Sequence, residues 1–224
     1  MSENKKTRIK VCVPDYRPLH PLTKLSIQDL LALEQFEFKF ETYNSAMICQ
    51  ARTVLVKDAD QFDFILFIDS DMAFTNNDFM CLMSANKQVI GAGYLHGYDN
   101  KLVGGKDGKD FNIPLDTKGI VKVDWVGFGL ILIKSDLLKD YCFHTSVNEA
   151  GFPSSEDYNF CIDQQCNIFM YCGLDVKHLP KEKGVYLADK DWAEVMKALL
   201  NHPMPYLQAT KIITSVKHYL EKSG

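Results

Sequence analysis

The sequence predicts an α/β domain built on a largely parallel sheet. Short apolar runs alternate with segments of helical spacing, which is the pattern of repeated strand–helix units. One run, FDFILFI at 62–68, is apolar throughout, as expected for a central strand covered on both faces. Polar and acidic residues gather directly after the apolar runs, where ligands bind in sheets of this kind.

The elements follow in order. IKVCVP at 9–14 is an apolar run closed by a proline, and reads as a buried strand. Leu22, Leu25, Ile27, Leu30 and Leu31 give residues 22–33 a helical stripe. FEFKFETY at 36–43 alternates, the period of a half-buried strand. Asn44 or Ser45 is placed to cap a helix over 46–58. After the central strand come a helix near 77–84 and a strand beginning at 88–91. Residues 97–119 are rich in glycine and charge, and read as a long loop with room for a hairpin. Strand character returns over 121–133 around a Gly127-Phe128-Gly129 break. A helix over 155–165 and a strand over 168–171 complete the pattern. Two tail helices are expected near 191–201 and 205–222, their stripe at Ala209, Ile213, Val216 and Leu220 packing on the same domain. The expected organisation is thus a flexible start over 1–8, a domain over 9–190, and C-terminal helices over 191–224.

Composition excludes several classes. The 224 residues suffice for one sizeable core. With 46% hydrophobic and 24% charged residues and a net charge of −4, the chain carries no nucleic-acid footprint. No stretch has the length of a signal-peptide core or a transmembrane helix. Seven cysteines without a CxxC pair read as reduced core residues, and a cytoplasmic location is expected.

Four features carry chemistry. In FILFIDSDM, Asp69 and Asp71 flank Ser70 directly after the central strand. In an extended segment residues i and i+2 point the same way, so the two carboxylates would converge and need a cation. Oxygen ligands favour Mg²⁺ or Mn²⁺, which in turn holds phosphate oxygens. Arg52 lies on the preceding helix, its planar fork suited to phosphate or a base; taken alone, it reads first as a surface arginine. Glu156 and Asp157 open a helix, where acids gain from the dipole, and where a carboxylate can also take a proton from a hydroxyl. His178 follows a short strand, and becomes a metal ligand only if that strand end meets Asp69 and Asp71.

In their order, CVPDY, CQAR, FIDSDM, DWVGFGLILIKSDLL, SSEDYNF and VKHLP resemble the GT-A glycosyltransferases over residues 9–180, and look most similar to the compact, stand-alone members of bacteria and large DNA viruses. The resemblance implies a GT-A, Rossmann-like fold and a metal-dependent transfer of sugar from a nucleotide-diphosphate donor, by default a UDP-sugar, to a glycan or other hydroxyl acceptor. It implies that Pro14, Asp15 and Tyr16 meet the base, and that Arg52 approaches the donor. Asp69 would face the ribose or a metal-bound water, with Ser70 beside it. Asp71 and His178 would hold Mn²⁺ or Mg²⁺. Trp125, Gly127 and Gly129 would shape the sugar and acceptor pocket. Asp157, with Glu156 beside it, matches the base of inverting members. The chain departs from larger members in having no lectin module or membrane anchor.

Other readings fit less well. A haloacid-dehalogenase phosphotransferase wants Thr or Val where this chain has Ala73. GAGYLHG at 91–97 is GxGxxxG followed by a polar loop, which does not suit a Rossmann dehydrogenase. A sugar-nucleotide pyrophosphorylase would carry a glycine-rich, arginine-containing N-terminal loop. The non-enzymatic alternative is a catalytically silent GT-A domain that binds sugar nucleotides or glycans.

Overall fold

The computed structural model describes residues 5–15, 18–95, 101–147, 153–164 and 167–179, all within one compact unit, Met1–Lys181. The tail helices expected over 191–201 and 205–222 lie outside the described residues.

The chain opens with β1 (Thr7–Asp15), α1 (Pro21–Leu31), β2 (Phe36–Asn44), α2 (Ile48–Leu55), β3 (Phe64–Ile68) and β4 (Met72–Ala73). It continues with α3 (Asn76–Ser84), β5 (Val89–Ala92), β6 (Gly104–Lys106), β7 (Lys109–Asp110), β8 (Gly119–Val123), β9 (Trp125–Val126) and β10 (Leu130–Lys134). The last described elements are β11 (Ser146–Val147), β12 (Pro153–Ser154), α4 (Glu156–Gln164), β13 (Ile168–Cys172) and β14 (Lys177–His178).

The main sheet has the order β2-β1-β3-β10-β5-β13-β8. β1 is parallel to β2 and β3, and β5 is parallel to β13. β10 opposes both its neighbours, and β8 opposes β13. Five strands therefore share one direction, giving the mostly parallel α/β sheet that the sequence predicts. Its centre is covered on both faces: Ile65–Ile68 and Leu130–Ile133 are all buried, which is why these runs show no alternation. The edge strand β2 instead alternates between half-buried and exposed along most of its length.

Two local expectations change and a third is met. The strand expected over 121–133 divides into β8, β9 and β10, with β9 leaving the main sheet to pair with β6. The long polar loop does contain a hairpin, β6–β7, turning at Asp107 and Gly108 with φ of 56° and 68°. Positive φ at both central residues is the turn geometry that matches strand twist. The cap of α2 also shifts: Met47 is the cap residue, and the Ser45 hydroxyl accepts the Met47 N–H at 3.1 Å. None of the six described cysteines is in a disulfide; Cys12, Cys161 and Cys172 are buried, while Cys142 is exposed.

Candidate functional site

The sheet order creates a crevice. From β1 the chain passes to β2 on one side, and then crosses to β3 on the other. The carboxyl ends of β1 and β3 are therefore the topological switch point, where open α/β sheets bind ligands. Asp15 ends β1, and Asp69 follows β3 directly. Pro14 lies beyond Cys12, the last β1 residue paired with β3, so its missing N–H falls where that ladder has ended. Tyr16 lies outside the described residues. His20 was not singled out from the sequence; its N–H donates to the Ser70 carbonyl at 2.9 Å and ties the β1–α1 connection to the acidic turn.

Asp69, Ser70 and Asp71 form a turn between β3 and β4, closed by the Met72 N–H donating to the Asp69 carbonyl at 3.2 Å. This replaces the expected extended geometry, and the two carboxylates take different partners. Asp69 Oδ1 accepts from Arg52 Nη2 at 2.8 Å. Asp71 Oδ2 lies 3.4 Å from His178 Nε2. Ser70 is buried.

His178 reaches this edge because β14 pairs with β4, with His178 opposite Met72, and because the Leu179 N–H donates to the Asp71 carbonyl at 2.8 Å. The buried Asp78 supports this meeting. Its Oδ2 accepts the Thr75 N–H at 2.8 Å in the capping box of α3, while Oδ1 accepts the Asp175 N–H at 3.0 Å. One carboxylate thus fixes the start of α3 to the segment that leads into β14.

Arg52 is not a surface arginine; its side chain is 1% exposed. Besides Asp69, its Nη1 lies 3.0 Å from Glu156 Oε1. The guanidinium carbon sits 4.8 Å from the Phe128 ring centroid and 5.5 Å from that of Phe67. Nε and Nη1 have no aligned hydrogen-bond partner, so the group is held by charge and ring contacts more than by full hydrogen bonding. Burial disfavours its charge, but the Asp69, Glu156 and Asp157 carboxylates outweigh that and raise its pKa. Asp69 behaves oppositely. Burial pushes its carboxyl up to about 6, with repulsion from Asp71, Asp157 and Glu156 offsetting part of the attraction of Arg52.

Glu156 and Asp157 begin α4 with different surroundings. Glu156 is buried against Arg52. Asp157 is partly exposed; its Oδ1 accepts from the Ser155 hydroxyl and from the Tyr158 N–H at 2.8 Å.

Tyr94, which sequence patterning did not reveal, explains the glycine break. Its hydroxyl accepts the Gly129 N–H at 3.1 Å, and the Gly129 carbonyl accepts the Asp69 N–H at 2.9 Å. A Cβ at Gly127 or Gly129 would lie 2.6 Å from the Tyr94 side chain. Both glycines therefore serve close packing against a buried tyrosine whose ring centroid is 6.0 Å from that of His178. Trp125 stands beside the β6–β7 hairpin. Its indole N–H donates to Asp110 Oδ1 at 2.7 Å, and its ring meets Tyr158 of α4 edge-on at 5.9 Å. It links the glycine-rich hairpin to the helix that carries Asp157.

No family model matches the sequence, and no curated protein does. In structure the chain is similar to A197 from STIV, at 15% identity and a TM-score of 0.55, over 78% of this chain and 87% of that one. That likeness concerns the fold alone, a mostly parallel α/β sheet flanked by helices as expected from the sequence. Weaker similarity extends to GalNAc-T7, solved with UDP, GalNAc and Mn²⁺ (13% identity, TM-score 0.48, 82% of this chain and 45% of that one). It also extends to a glycosyltransferase involved in glycosylation of the major capsid of PBCV-1 (12% identity, TM-score 0.35, 58% of this chain and 61% of that one). Among the described residues, no helix is long and apolar enough to cross a membrane.

Proposed function

We propose that the chain is a metal-dependent glycosyltransferase that moves a sugar from a nucleotide-diphosphate donor to a hydroxyl acceptor. The observation that carries this reading is the meeting of Asp71 and His178, from different elements, beside the β1–β3 switch point at 3.4 Å. Two atoms bound to one cation at about 2.1 Å in adjacent octahedral positions are about 3 Å apart, so the pair fits a shared cation. Among the described residues no group of three His, Cys, Asp or Glu side chains is arranged around a metal position. Two protein ligands with phosphate oxygens completing the shell fit a Mg²⁺- or Mn²⁺-type site, since such ions are held by one or two side chains plus substrate phosphate. The imidazole favours Mn²⁺ of the two. Among the described residues, Asp69, Asp71, Glu156 and Asp157 gather around Arg52 with an excess of negative charge, which opposes a diphosphate unless a cation accompanies it.

A bound cation would supply charge stabilisation for the departing diphosphate. The chain's own residues do the rest. Asp15 and Pro14 border the base side of the crevice, and Trp125 with the hairpin borders the sugar and acceptor side. Asp157 accepts the proton of the acceptor hydroxyl as that oxygen bonds to the anomeric carbon and the carbon–phosphate-oxygen bond breaks, which inverts the centre. Glu156, being buried against Arg52, is not the base. UDP-sugars are the expected donors, on the resemblance above.

Calorimetric titration of UDP in Mn²⁺ and in EDTA tests the reading. Binding should need the ion, and equal affinity in both would remove the metal role of Asp71. A thermal-shift screen of UDP-, GDP- and dTDP-sugars identifies the donor by the rise in melting temperature. Donor hydrolysis separates an enzyme from a silent binding module, and NMR of the product reads the anomeric configuration.

A further inference from the structure

We infer that Arg52 is a positioning residue that sets the spacing between the donor side and the base side of the crevice. This deepens the functional reading above and rests on it. Three elements meet at one buried guanidinium. Arg52 comes from α2; Nη2 holds Asp69, the first residue after β3, at 2.8 Å, and Nη1 faces Glu156, the first residue of α4, at 3.0 Å. Asp69 belongs to the turn that presents Asp71, and Glu156 precedes Asp157. The two arms of a rigid planar fork therefore fix the acidic turn relative to the start of α4. Phe128 and Phe67 beside the guanidinium limit its movement. At 1% exposure the group does not reach donor or acceptor, so its effect passes through the two carboxylates. Glu156 is then the anchor of α4, and the partly exposed carboxylate beside it, Asp157, is held where it can act.

A lysine ammonium is a compact point charge without the two fixed arms of the guanidinium, so Arg52→Lys keeps the charge and changes the spacing. Glu156→Gln is the milder variant, nearly isosteric, and serves if Arg52→Lys does not fold. Two readouts decide. The first needs no activity: amide hydrogen exchange in the holo-chain with Mn²⁺ and UDP. Both variants should exchange about tenfold faster over residues 156–160, while amides of β1 and β3 keep their rates. The second is Mn²⁺-dependent UDP release from UDP-glucose, UDP-galactose and UDP-GalNAc. Here kcat should fall at least tenfold with KM for the donor changed less than threefold, and the double variant should lose little beyond the worse single one. Unchanged exchange over 156–160 overturns the inference, as does faster exchange spread evenly over β1, β3 and α4, which marks general destabilisation. Multiplying losses in the double variant, or a loss confined to KM, also overturn it. If the unaltered chain releases UDP from none of the three sugars, the functional reading fails for those donors, while the exchange measurement still decides whether Arg52 anchors α4.

Discussion

Among the described residues two cations are buried, and both lie near the C-terminal turn of α2. Lys10 and Arg52 are each 1% exposed. Lys10 donates to the Leu55 carbonyl, in the last turn of α2, at 2.6 Å, and pairs with Asp58 and with Glu41 at 2.9 Å. Lys39 joins the same acids from the surface. This is a staple: a cation at a helix C-terminus, where the dipole favours it, with partners that are themselves 23% and 36% exposed and shared with a second lysine. Arg52 differs in its partners. Its partners come from two distant elements, they border the crevice, and two of its nitrogens have no aligned acceptor. Burial of a charge alone does not mark a functional group; the identity of its partners does.

The largest expected effect breaks the two clusters in turn. Arg52→Met leaves Asp69 and Glu156 facing each other without a counter-charge, and removing one partner of a buried ion pair costs about 3–5 kcal/mol. Lys10→Met should cost less, roughly 1–3 kcal/mol, because water and Lys39 can serve Asp58 and Glu41. Urea unfolding of both variants measures the difference. Equal losses would mean that Arg52 is a staple of the same kind as Lys10.

Next in size is catalysis. Asp157→Asn should cut turnover by ~10²-fold or more, the usual range for a general base, with UDP and Mn²⁺ binding nearly kept. Steady-state kinetics beside calorimetry checks it. Near-normal turnover, or retention of configuration, would return Asp157 to a helix-start role like that of its neighbour.

How much of this was legible beforehand differs between the two regions. The central strand announced itself, because a strand covered on both faces leaves an unbroken apolar run. The acidic turn was visible as a motif, yet its shape was not: nothing in FIDSDM says whether Asp69 follows the strand direction or bends into a turn, since that is set by the Gly129 carbonyl and by Arg52. The hairpin did carry a signal, Asp107-Gly108 between lysines, which is a strong short-range turn pattern. Tyr94 and Asp78 carried none, because a buried tyrosine or a capping aspartate acquires its partners only from tertiary contacts. His178 was legible as a candidate, but its meeting with Asp71 depends on the pairing of two-residue strands too short to leave a periodic pattern.

A smaller perturbation probes the packing behind the crevice. Gly129→Ala puts a Cβ 2.6 Å from Tyr94 and should cost about 1–3 kcal/mol by overpacking. Because the Gly129 carbonyl holds the Asp69 N–H, Mn²⁺ affinity should weaken as well. In Gly91→Ala the added Cβ would meet Val126 at 2.7 Å, away from the acidic turn, and should cost stability while sparing Mn²⁺ affinity. Manganese titration by electron paramagnetic resonance separates the two; equal weakening would mean that the glycines near Tyr94 are packing residues only.

The smallest effect is in the pH dependence, where the two clusters should run in opposite directions. Asp58 titrates below its ordinary 3.8: burial alone would raise it, but hydrogen bonds from Lys10 and Lys39 win. A carboxyl depressed on folding contributes stability above 3.8 and loses it as pH falls through the lower folded value. Asp69 is raised from 3.8 to about 6, chiefly by burial, so its contribution is full below 3.8 and is lost as pH rises through about 6. In EDTA, Asp58→Asn should flatten the acid limb of melting temperature against pH, below about 4. Asp69→Asn should flatten the stretch between about 4 and 6. Mn²⁺ favours the ionised crevice and competes with that proton, so its affinity should fall as pH drops through about 6 and fall less in Asp69→Asn. If Asp69→Asn leaves the melting profile between 4 and 6 unchanged, its carboxyl is not raised, and the contrast between the staple at Lys10 and the crevice at Arg52 would rest on geometry alone.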